Sequence, residues 1–283
     1  MKLFNDIRQI ADNYQYFIID IWGVVHDGSD AYEDVLENLR YLRDCSKNIC
    51  FLSNAPRKAD VVADVLAKFG VDDSFYDFVL SSGQAVFNYL KENDFGKNYY
   101  YIGPKKDEDL LKGLQYERVY DANIADFAIV TGYDDNDSVA DEKDEDLKAI
   151  KAGNLTLICV NPDLVVVKQD GRRLICAGLI AQRYQEMQGK VVYFGKPYKM
   201  VYDQVFKLFD VDQNSAKKVL AIGDGLETDI KGANDFGIDC AFVSCGIFGS
   251  QLKVSYGQLP EIGLLKEICQ KNQANPDYVI SKL

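Results

Sequence analysis

The sequence predicts an α/β protein built on a parallel sheet with helices on both faces. Short apolar runs typical of buried strands alternate with segments whose apolar residues recur at three- and four-residue intervals, as in amphipathic helices. The strand-like runs are YFIID (16–20), ICFLSN (49–54), DFVLSS (77–82), VVYFG (191–195), KVLAIGD (218–224) and CAFVSCG (240–246). This alternation favours a parallel sheet, and ligands bind beyond the carboxyl ends of the strands in such sheets.

Helices are predicted between these strands. The segments YEDVLENLRYLRDC (32–45) and RKADVVADVLAKFG (57–70) have helical spacing, and Gly70 supplies a stop signal to the second. At the C-terminus, PDYVISKL (276–283) is predicted to form the last strand, at an edge of the sheet.

The middle of the chain has its own pattern. It contains the strand-like runs NYYYIG, DFAIVTGYD, LTLICVN and RRLICAG, and an acidic run, DDNDSVADEKDED (134–146). Strand-like runs that end in candidate site residues, which are described below, lie before and after this middle region. We therefore predict a smaller inserted α/β domain over residues 84–189, within a discontinuous core of residues 1–83 and 190–283. The acidic run is expected to be a solvated loop, because it lacks the central glycine of a calcium-binding loop.

Composition limits the partners. The 283 residues include 32 Lys and Arg against 44 Asp and Glu, for a net charge of −12. This charge repels phosphate backbones and anionic lipids, so we expect neither nucleic acid nor a membrane as partner. No apolar run approaches the ~18 residues of a membrane span, and the first residues do not resemble a signal peptide. We expect a cytoplasmic protein, for which a homodimer is the commonest assembly.

Two carboxylates lie where apolar runs end. Asp20 follows YFII, and Asp224 follows an apolar run and Gly223, which suits an oxygen ligand of a small hard cation. Asp229 comes five positions later, where a helix is expected to begin. It either assists a cation or merely caps the helix.

A lysine, a hydroxyl and an amide lie at similar positions. Lys196 follows a strand-like run and Gly195 and is held by Pro197, which restricts the backbone. It would either neutralise a phosphoryl group or remain a surface charge. Ser53 and Asn54 lie where a strand gives way to a helix, and they would either bind an anion or cap the helix.

These stretches resemble the haloacid dehalogenase-like (HAD) superfamily, class IIA, over nearly the whole chain. FIIDIWGVVHDG (17–28) is similar to the first motif of the family, FLSNAPR (51–57) to the second, GKP (195–197) to the third and GDGLETDIKGA (223–233) to the fourth. The resemblance implies a Rossmann-like doubly wound core with an inserted α/β cap. It also implies a Mg²⁺-dependent phosphatase whose partner is a small phosphorylated metabolite, such as a sugar phosphate or a nucleotide.

The resemblance implies a role for each residue. Asp20 would be the nucleophile that forms an aspartyl-phosphate. Mg²⁺ would be held by Asp20, the backbone oxygen of Trp22 and Asp224, with Asp229 in support. Ser53 and Lys196 would hold the phosphoryl oxygens in catalysis, and Asn54 would orient the nucleophile or the substrate.

Trp22 departs from the family pattern, because most hydrolytic relatives have an aspartate there that acts as general acid and base. An indole offers only an N–H donor, and losing a general acid/base costs ~10²–10⁴ in rate. Three hypotheses follow: substrates whose leaving group needs no proton, replacement by His26 or Asp27, or a slowly turning-over or non-hydrolytic protein that binds a phosphorylated ligand. We favour a phosphatase of modest activity, with the binding or regulatory protein as the alternative.

Overall fold

The computed structural model of the chain describes residues 1–133, 143–167 and 173–283, so most of the predicted acidic loop, 134–142, lies outside the described residues. Within these ranges the strands are β1 (Lys2–Phe4), β2 (Tyr16–Ile19), β3 (Asn48–Ser53), β4 (Phe78–Ser81), β5 (Asn98–Ile102), β6 (Glu117–Val119), β7 (Phe127–Val130), β8 (Thr156–Cys159), β9 (Val165–Val167), β10 (Arg173–Ile175), β11 (Lys190–Tyr193), β12 (Val219–Gly223), β13 (Asp239–Val243) and β14 (Tyr278–Ile280). The helices are α1 (Val35–Asp44), α2 (Ala59–Lys68), α3 (Ser82–Glu92), α4 (Asp144–Ala152), α5 (Ala177–Glu186), α6 (Lys199–Phe209), α7 (Lys231–Phe236), α8 (Gly249–Leu252) and α9 (Ile262–Lys271).

The larger sheet has seven strands in the order β1-β14-β13-β12-β2-β3-β4. Strand β2 lies between β12 and β3 and runs parallel to both, with Ile19 opposite Ile222 on one side and Phe51 on the other. Because helices alternate with these strands along the chain, the predicted parallel α/β architecture is confirmed. The carboxyl ends of β2, β3 and β12 therefore meet at one edge of the sheet.

The C-terminal strand is present but is not the edge strand that the sequence predicts. Strand β1 pairs with it in parallel, Lys2 opposite Tyr278, and forms the edge instead. A three-residue strand is too short to show an alternating pattern, so its pairing is not visible in the sequence.

A second parallel sheet has the order β11-β8-β7-β5-β6, and β9 and β10 form an antiparallel pair. The sequence groups β11 with the strands of the larger sheet, whereas it pairs with β8, Val191 opposite Leu157. A buried parallel strand has the same apolar character in either sheet, so composition does not assign it to one.

The chain divides into two compact units. The first comprises residues 1–53, 60–80 and 196–283, and the second comprises residues 54–59 and 81–195. The larger sheet belongs to the first unit and the five-stranded sheet to the second. The domain ranges expected from the sequence, 1–83 with 190–283 and 84–189, stay a prediction.

The two predicted helices of the first unit form for the reasons that their patterns indicate. Helix α1 buries Val35, Leu39 and Leu42 on one face, and α2 ends shortly before Gly70, whose φ of +82° is a left-handed conformation that glycine adopts without strain. Of the helices in the described ranges, none combines the length and the apolar character needed to cross a lipid bilayer.

Candidate active site

Three carboxylates meet at the carboxyl edge of the larger sheet. Oxygens of Asp20, Asp224 and Asp229 all lie within 4.8 Å of one another. Asp20 directly follows β2 and Asp224 directly follows β12, and the backbone N–H of Asp20 donates to the Ile222 oxygen at 2.9 Å. The pairing of these two strands therefore brings together carboxylates that are more than two hundred positions apart in the chain.

Asp229 is held by the turn that follows β12. A π-helical turn over Leu226–Ile230 leads into α7, and within it the Gly225 N–H donates to Asp229 Oδ2 at 3.0 Å. A Cβ at Gly223 would lie 2.1 Å from the Asp229 Cγ, so only glycine fits there. The carboxylate therefore faces back towards the strand end and is not a simple helix cap.

Asp224 is enclosed by backbone. A Cβ at Gly23 would lie 1.9 Å from Asp224 Oδ2, and a Cβ at Gly246 would lie 2.1 Å from the same atom. That oxygen accepts a hydrogen bond from the Ile247 N–H at 2.7 Å. Sequence reasoning missed Gly246 and Ile247, although the glycine that ends the strand-like run CAFVSCG was the available signal.

Lys196 is buried between two of the carboxylates. Its Nζ lies 2.6 Å from Asp20 Oδ1 and 2.7 Å from Asp229 Oδ1, and the residue is 3% exposed. Burial alone would lower the pKa of this amine, but the charges of Asp20 and Asp229 outweigh burial and raise it. Lys196 is therefore a fixed positive charge, and the alternative of a surface lysine is wrong.

The cluster has an excess of negative charge. Burial, followed by the charge of Asp229, raises the pKa of Asp20 to about 7, although Lys196 opposes this. Burial and the charges of Asp20 and Asp229 likewise raise the pKa of Asp224 well above its usual value. When all three carboxylates are ionised, one ammonium leaves two negative charges uncompensated.

The loop after Asp20 places Trp22 at the surface and His26 inside. Trp22 is 46% exposed, whereas His26 is 3% exposed. The His26 ring stacks on Phe69 at a centroid distance of 4.1 Å, and its Nδ1 accepts the Gly28 N–H at 3.0 Å. Burial lowers the pKa of His26 to about 4. The imidazole is thus neutral near pH 7 and has one nitrogen already engaged.

The Asp27 carboxylate forms hydrogen bonds within the loop. Its Oδ1 accepts hydrogen bonds from the backbone N–H groups of Ser29 and Asp30, at 2.9 and 3.0 Å. Burial would raise the pKa of Asp27, but these hydrogen bonds outweigh burial and lower it. An ionised carboxylate of this kind has no proton to give at neutral pH.

Ser53 and Asn54 belong to different units of the chain. Ser53 ends β3, beside β2 and in the same unit as the carboxylates. Asn54 belongs to the second unit, where its Nδ2 donates to Asp163 Oδ1 at 2.8 Å and its Oδ1 lies 3.4 Å from the Ser82 Oγ. The contact with Asp163 could not be predicted from the sequence, because the two residues are more than one hundred positions apart.

Comparison with known proteins agrees with this geometry. Residues 17–117 match a family described as haloacid dehalogenase-like hydrolase, and residues 193–283 match one described as HAD-hydrolase-like. Together the two matches span about two thirds of the chain and include Asp20, Lys196, Asp224 and Asp229.

Individual relatives extend over more of the chain. The sugar-phosphatase AraL of Bacillus subtilis is 26% identical over 231 residues, which are 81% of this chain and 82% of the relative. Among solved structures, a haloacid dehalogenase-like hydrolase from Brucella suis superposes with a TM-score of 0.82 at 28% identity, over 99% of each chain. A p-nitrophenyl phosphatase from Archaeoglobus fulgidus superposes with a TM-score of 0.75 at 20% identity, over 95% of this chain and 97% of that one. From its sequence motifs, its fold and these matches, the chain belongs to the haloacid dehalogenase-like hydrolases.

Proposed function

We propose that the chain is a Mg²⁺-dependent phosphatase that hydrolyses a small phosphomonoester, such as a sugar phosphate or a nucleotide, through an aspartyl-phosphate. The observation that carries this proposal is the buried cluster of Asp20, Asp224, Asp229 and Lys196 at adjoining strand ends. Relatives named as phosphatases support the reaction class.

The carboxylate cluster fits a magnesium ion. Mg²⁺ prefers oxygen ligands, and two uncompensated negative charges match its own charge. Asp20, Asp224 and Asp229 would hold the ion, together with the backbone oxygen of Trp22. When bound, it would supply positive charge that offsets the charge of the phosphoryl oxygens.

Each residue of the site would have its own role in the reaction. The Asp20 carboxylate attacks phosphorus, a new P–O bond forms, and the bond to the leaving oxygen breaks. Lys196 and Ser53 hold the phosphoryl oxygens as charge develops on them, and Asn54 orients the nucleophile or the substrate. A water molecule then attacks phosphorus and passes its proton to a phosphate oxygen, which frees Asp20.

Proton transfer is the weak point of this site. The side chain at position 22 is an indole, His26 is neutral and buried, and Asp27 is ionised and bound by the loop. None of the three is suited to protonate a leaving oxygen. We therefore expect modest activity, most evident on leaving groups that depart as anions.

The same observation favours one alternative. If breakdown of the aspartyl-phosphate is very slow, the protein would act as a binding or regulatory protein for a phosphorylated ligand. This alternative predicts saturable, Mg²⁺-dependent binding with almost no phosphate release. Rapid multiple turnover on any physiological phosphomonoester would exclude it.

The test is phosphate release from a panel of sugar phosphates, nucleotides and 4-nitrophenyl phosphate. Activity should require Mg²⁺, disappear on chelation and disappear in Asp20→Asn. The matched control is Asp12→Asn, which removes an exposed carboxylate of the same unit and should leave activity unchanged. If no substrate is hydrolysed above the Asp20→Asn background, the chain is not a phosphatase.

A further inference from the structure

The side chain of Trp22 is exposed and yet held in place. We propose, on the basis of the phosphatase function above, that Trp22 forms a stacking subsite for the ring of an aryl phosphate, the phosphate ester of a phenol-type alcohol. The subsite makes Trp22 a determinant of specificity, and His26 positions it.

Contacts inside the loop fix the indole. A Cβ at Gly28 would lie 2.5 Å from Trp22 Cη2 and 3.1 Å from both Cζ2 and Cζ3, so the six-membered ring lies directly against the Gly28 backbone. The His26 ring meets the indole edge-on, with a centroid distance of 5.4 Å and an interplanar angle of 75°. Trp22 nevertheless remains 46% exposed. A ring that is held on one side and open on the other loses little entropy when a ligand stacks on it.

His26 fixes the loop that holds the ring. Its backbone oxygen accepts the Gly23 N–H at 2.9 Å, its Nδ1 accepts the Gly28 N–H, and its ring stacks on Phe69. These contacts connect both ends of the segment 23–28 to one buried residue, the first end through its backbone and the second through its imidazole. His26 therefore acts on a ligand only through the placement of Trp22, as a positioning residue.

The loop begins against the carboxylate cluster. Trp22 is two residues after Asp20, and the next residue, Gly23, lies so close to Asp224 that no Cβ fits between them. The backbone that carries the indole is therefore continuous with the wall of the proposed phosphoryl site. The subsite therefore begins two residues from the proposed nucleophile.

Two requirements of the chemistry select the same class of substrate. When Asp20 attacks phosphorus, the bond between phosphorus and the leaving oxygen breaks, and its electron pair stays on that oxygen. An indole cannot protonate this oxygen, so the group must leave as an anion. Phenol-type alcohols leave as delocalised anions and are planar, whereas the alkyl alcohols of sugar phosphates and nucleotides leave more slowly without a proton.

Binding of phosphonates tests the proposal without turnover. Phenylphosphonate and methylphosphonate share the phosphoryl-like group and differ in the ring, and the only tryptophan of the chain reports on stacking through its fluorescence. With Mg²⁺ present, phenylphosphonate should bind about 10-fold more tightly, as expected for one aromatic stacking contact, and should quench Trp22. Methylphosphonate should bind with little quenching.

Variants, measured by calorimetry, separate the roles. Trp22→Ala should bind both phosphonates equally, and Trp22→Phe should keep part of the preference. His26→Asn, which keeps an acceptor for the Gly28 N–H but loses the stacked ring, should reduce the preference while methylphosphonate affinity stays the same. Tyr120→Ala, which removes an exposed aromatic residue of the second unit, should behave like the wild type.

Three results would overturn the proposal. If wild-type protein binds the two phosphonates equally, Trp22 does not stack on the ligand, while the phosphoryl site itself stands. If Trp22→Ala binds both more tightly, the indole obstructs the site. If neither phosphonate binds in the presence of Mg²⁺, the proposed phosphatase function falls with the subsite.

Discussion

The ammonium of Lys196 lies 2.6 Å from an oxygen of Asp20, and both side chains are largely buried. A carboxylate in this position would lose its charge to burial if the ammonium were absent. The pair therefore favours the ionised, reactive form of the proposed nucleophile, against the burial and the charge of Asp229 that raise its pKa to about 7. Because the same ammonium also contacts Asp229, one lysine offsets the charge of the cluster from two sides.

Replacing Lys196 by methionine should strongly reduce activity and destabilise the metal-free protein. Three buried carboxylates would then face one another without a cation, which typically costs about 3 kcal/mol in the free energy of unfolding. We expect phosphate release to fall by ~100-fold or more. Urea unfolding with and without Mg²⁺ measures the first effect, and Mg²⁺ should restore part of the loss.

Lys199→Met is the matched control for this variant. Lys199 lies three positions further along and its exposed side chain pairs with Asp203. Because exposed ion pairs contribute about 0–1 kcal/mol, this variant should retain both stability and activity. Equal effects of the two substitutions would contradict the role given to Lys196.

Replacing Asp224 by asparagine should stabilise the metal-free protein and abolish its response to Mg²⁺. Burial and the charges of Asp20 and Asp229 raise the pKa of Asp224, so its ionised form opposes folding, and a neutral isostere should increase the free energy of unfolding at pH 7. Wild-type protein should gain about 2.7 kcal/mol at a Mg²⁺ concentration of 100 times Kd. Thermal unfolding across a Mg²⁺ titration measures both.

Asp235→Asn serves as the control for Asp224→Asn. This exposed carboxylate pairs with Lys231 on α7 and is not part of the cluster. Its Mg²⁺ response should equal that of the wild type. A full Mg²⁺ response in Asp224→Asn would remove this carboxylate from the metal site.

The wild-type protein should show burst kinetics with 4-nitrophenyl phosphate, because position 22 carries a tryptophan and no general base. The nitrophenolate leaves without a proton, whereas water must attack the aspartyl-phosphate without a general base. We expect a rapid release of about one nitrophenolate per active site, followed by slower steady turnover. Trp22→Asp should raise the steady rate by up to ~100-fold and shrink the burst. Rapid mixing with absorbance detection resolves both phases.

Trp22→Asn provides the comparison for Trp22→Asp, because it has nearly the same size but no titratable proton. If the two variants have the same steady rate, removal of the indole accounts for the change. In that case proton transfer does not limit the reaction.

His26 should make stability depend on pH. Because its folded pKa of about 4 is below the usual 6.5, the unfolded chain binds more protons between these values. Stability is therefore complete above pH 6.5 and falls as pH decreases towards 4, by up to roughly 3 kcal/mol. Urea unfolding of wild type and His26→Asn over this range isolates the contribution, since other groups titrate alike in both. A constant difference between the two proteins would show that folding does not lower the pKa of His26.

Much of the site could be predicted from strand ends. Asp20 and Asp224 close apolar runs, and parallel pairing of such runs brings their carboxyl ends together. The double ion pair of Lys196 could not be predicted, because it depends on the turn that directs Asp229 back towards Gly223. Only the glycines of such a turn can be recognised in the sequence.

The burial of His26 could not be predicted from the loop sequence. A lone histidine in a loop is usually a surface residue, whereas His26 is buried because Phe69, from a distant part of the chain, stacks on it. The expectations that β11 belongs to the larger sheet and that β14 forms its edge were wrong for the same reason. In each case the partner is set by tertiary contacts, and local periodicity records only that a segment is buried.

The hydrogen bonds to His26 that shape the loop do not depend on the side chain at position 22. Hydrogen bonds from Gly23 and Gly28 to His26 set the course of the backbone, and the side chain at position 22 is not among their partners. A substitution at position 22 therefore removes neither of these hydrogen bonds. On this scaffold, one substitution would add or remove a proton-transferring side chain while the backbone bonds of the loop stay in place.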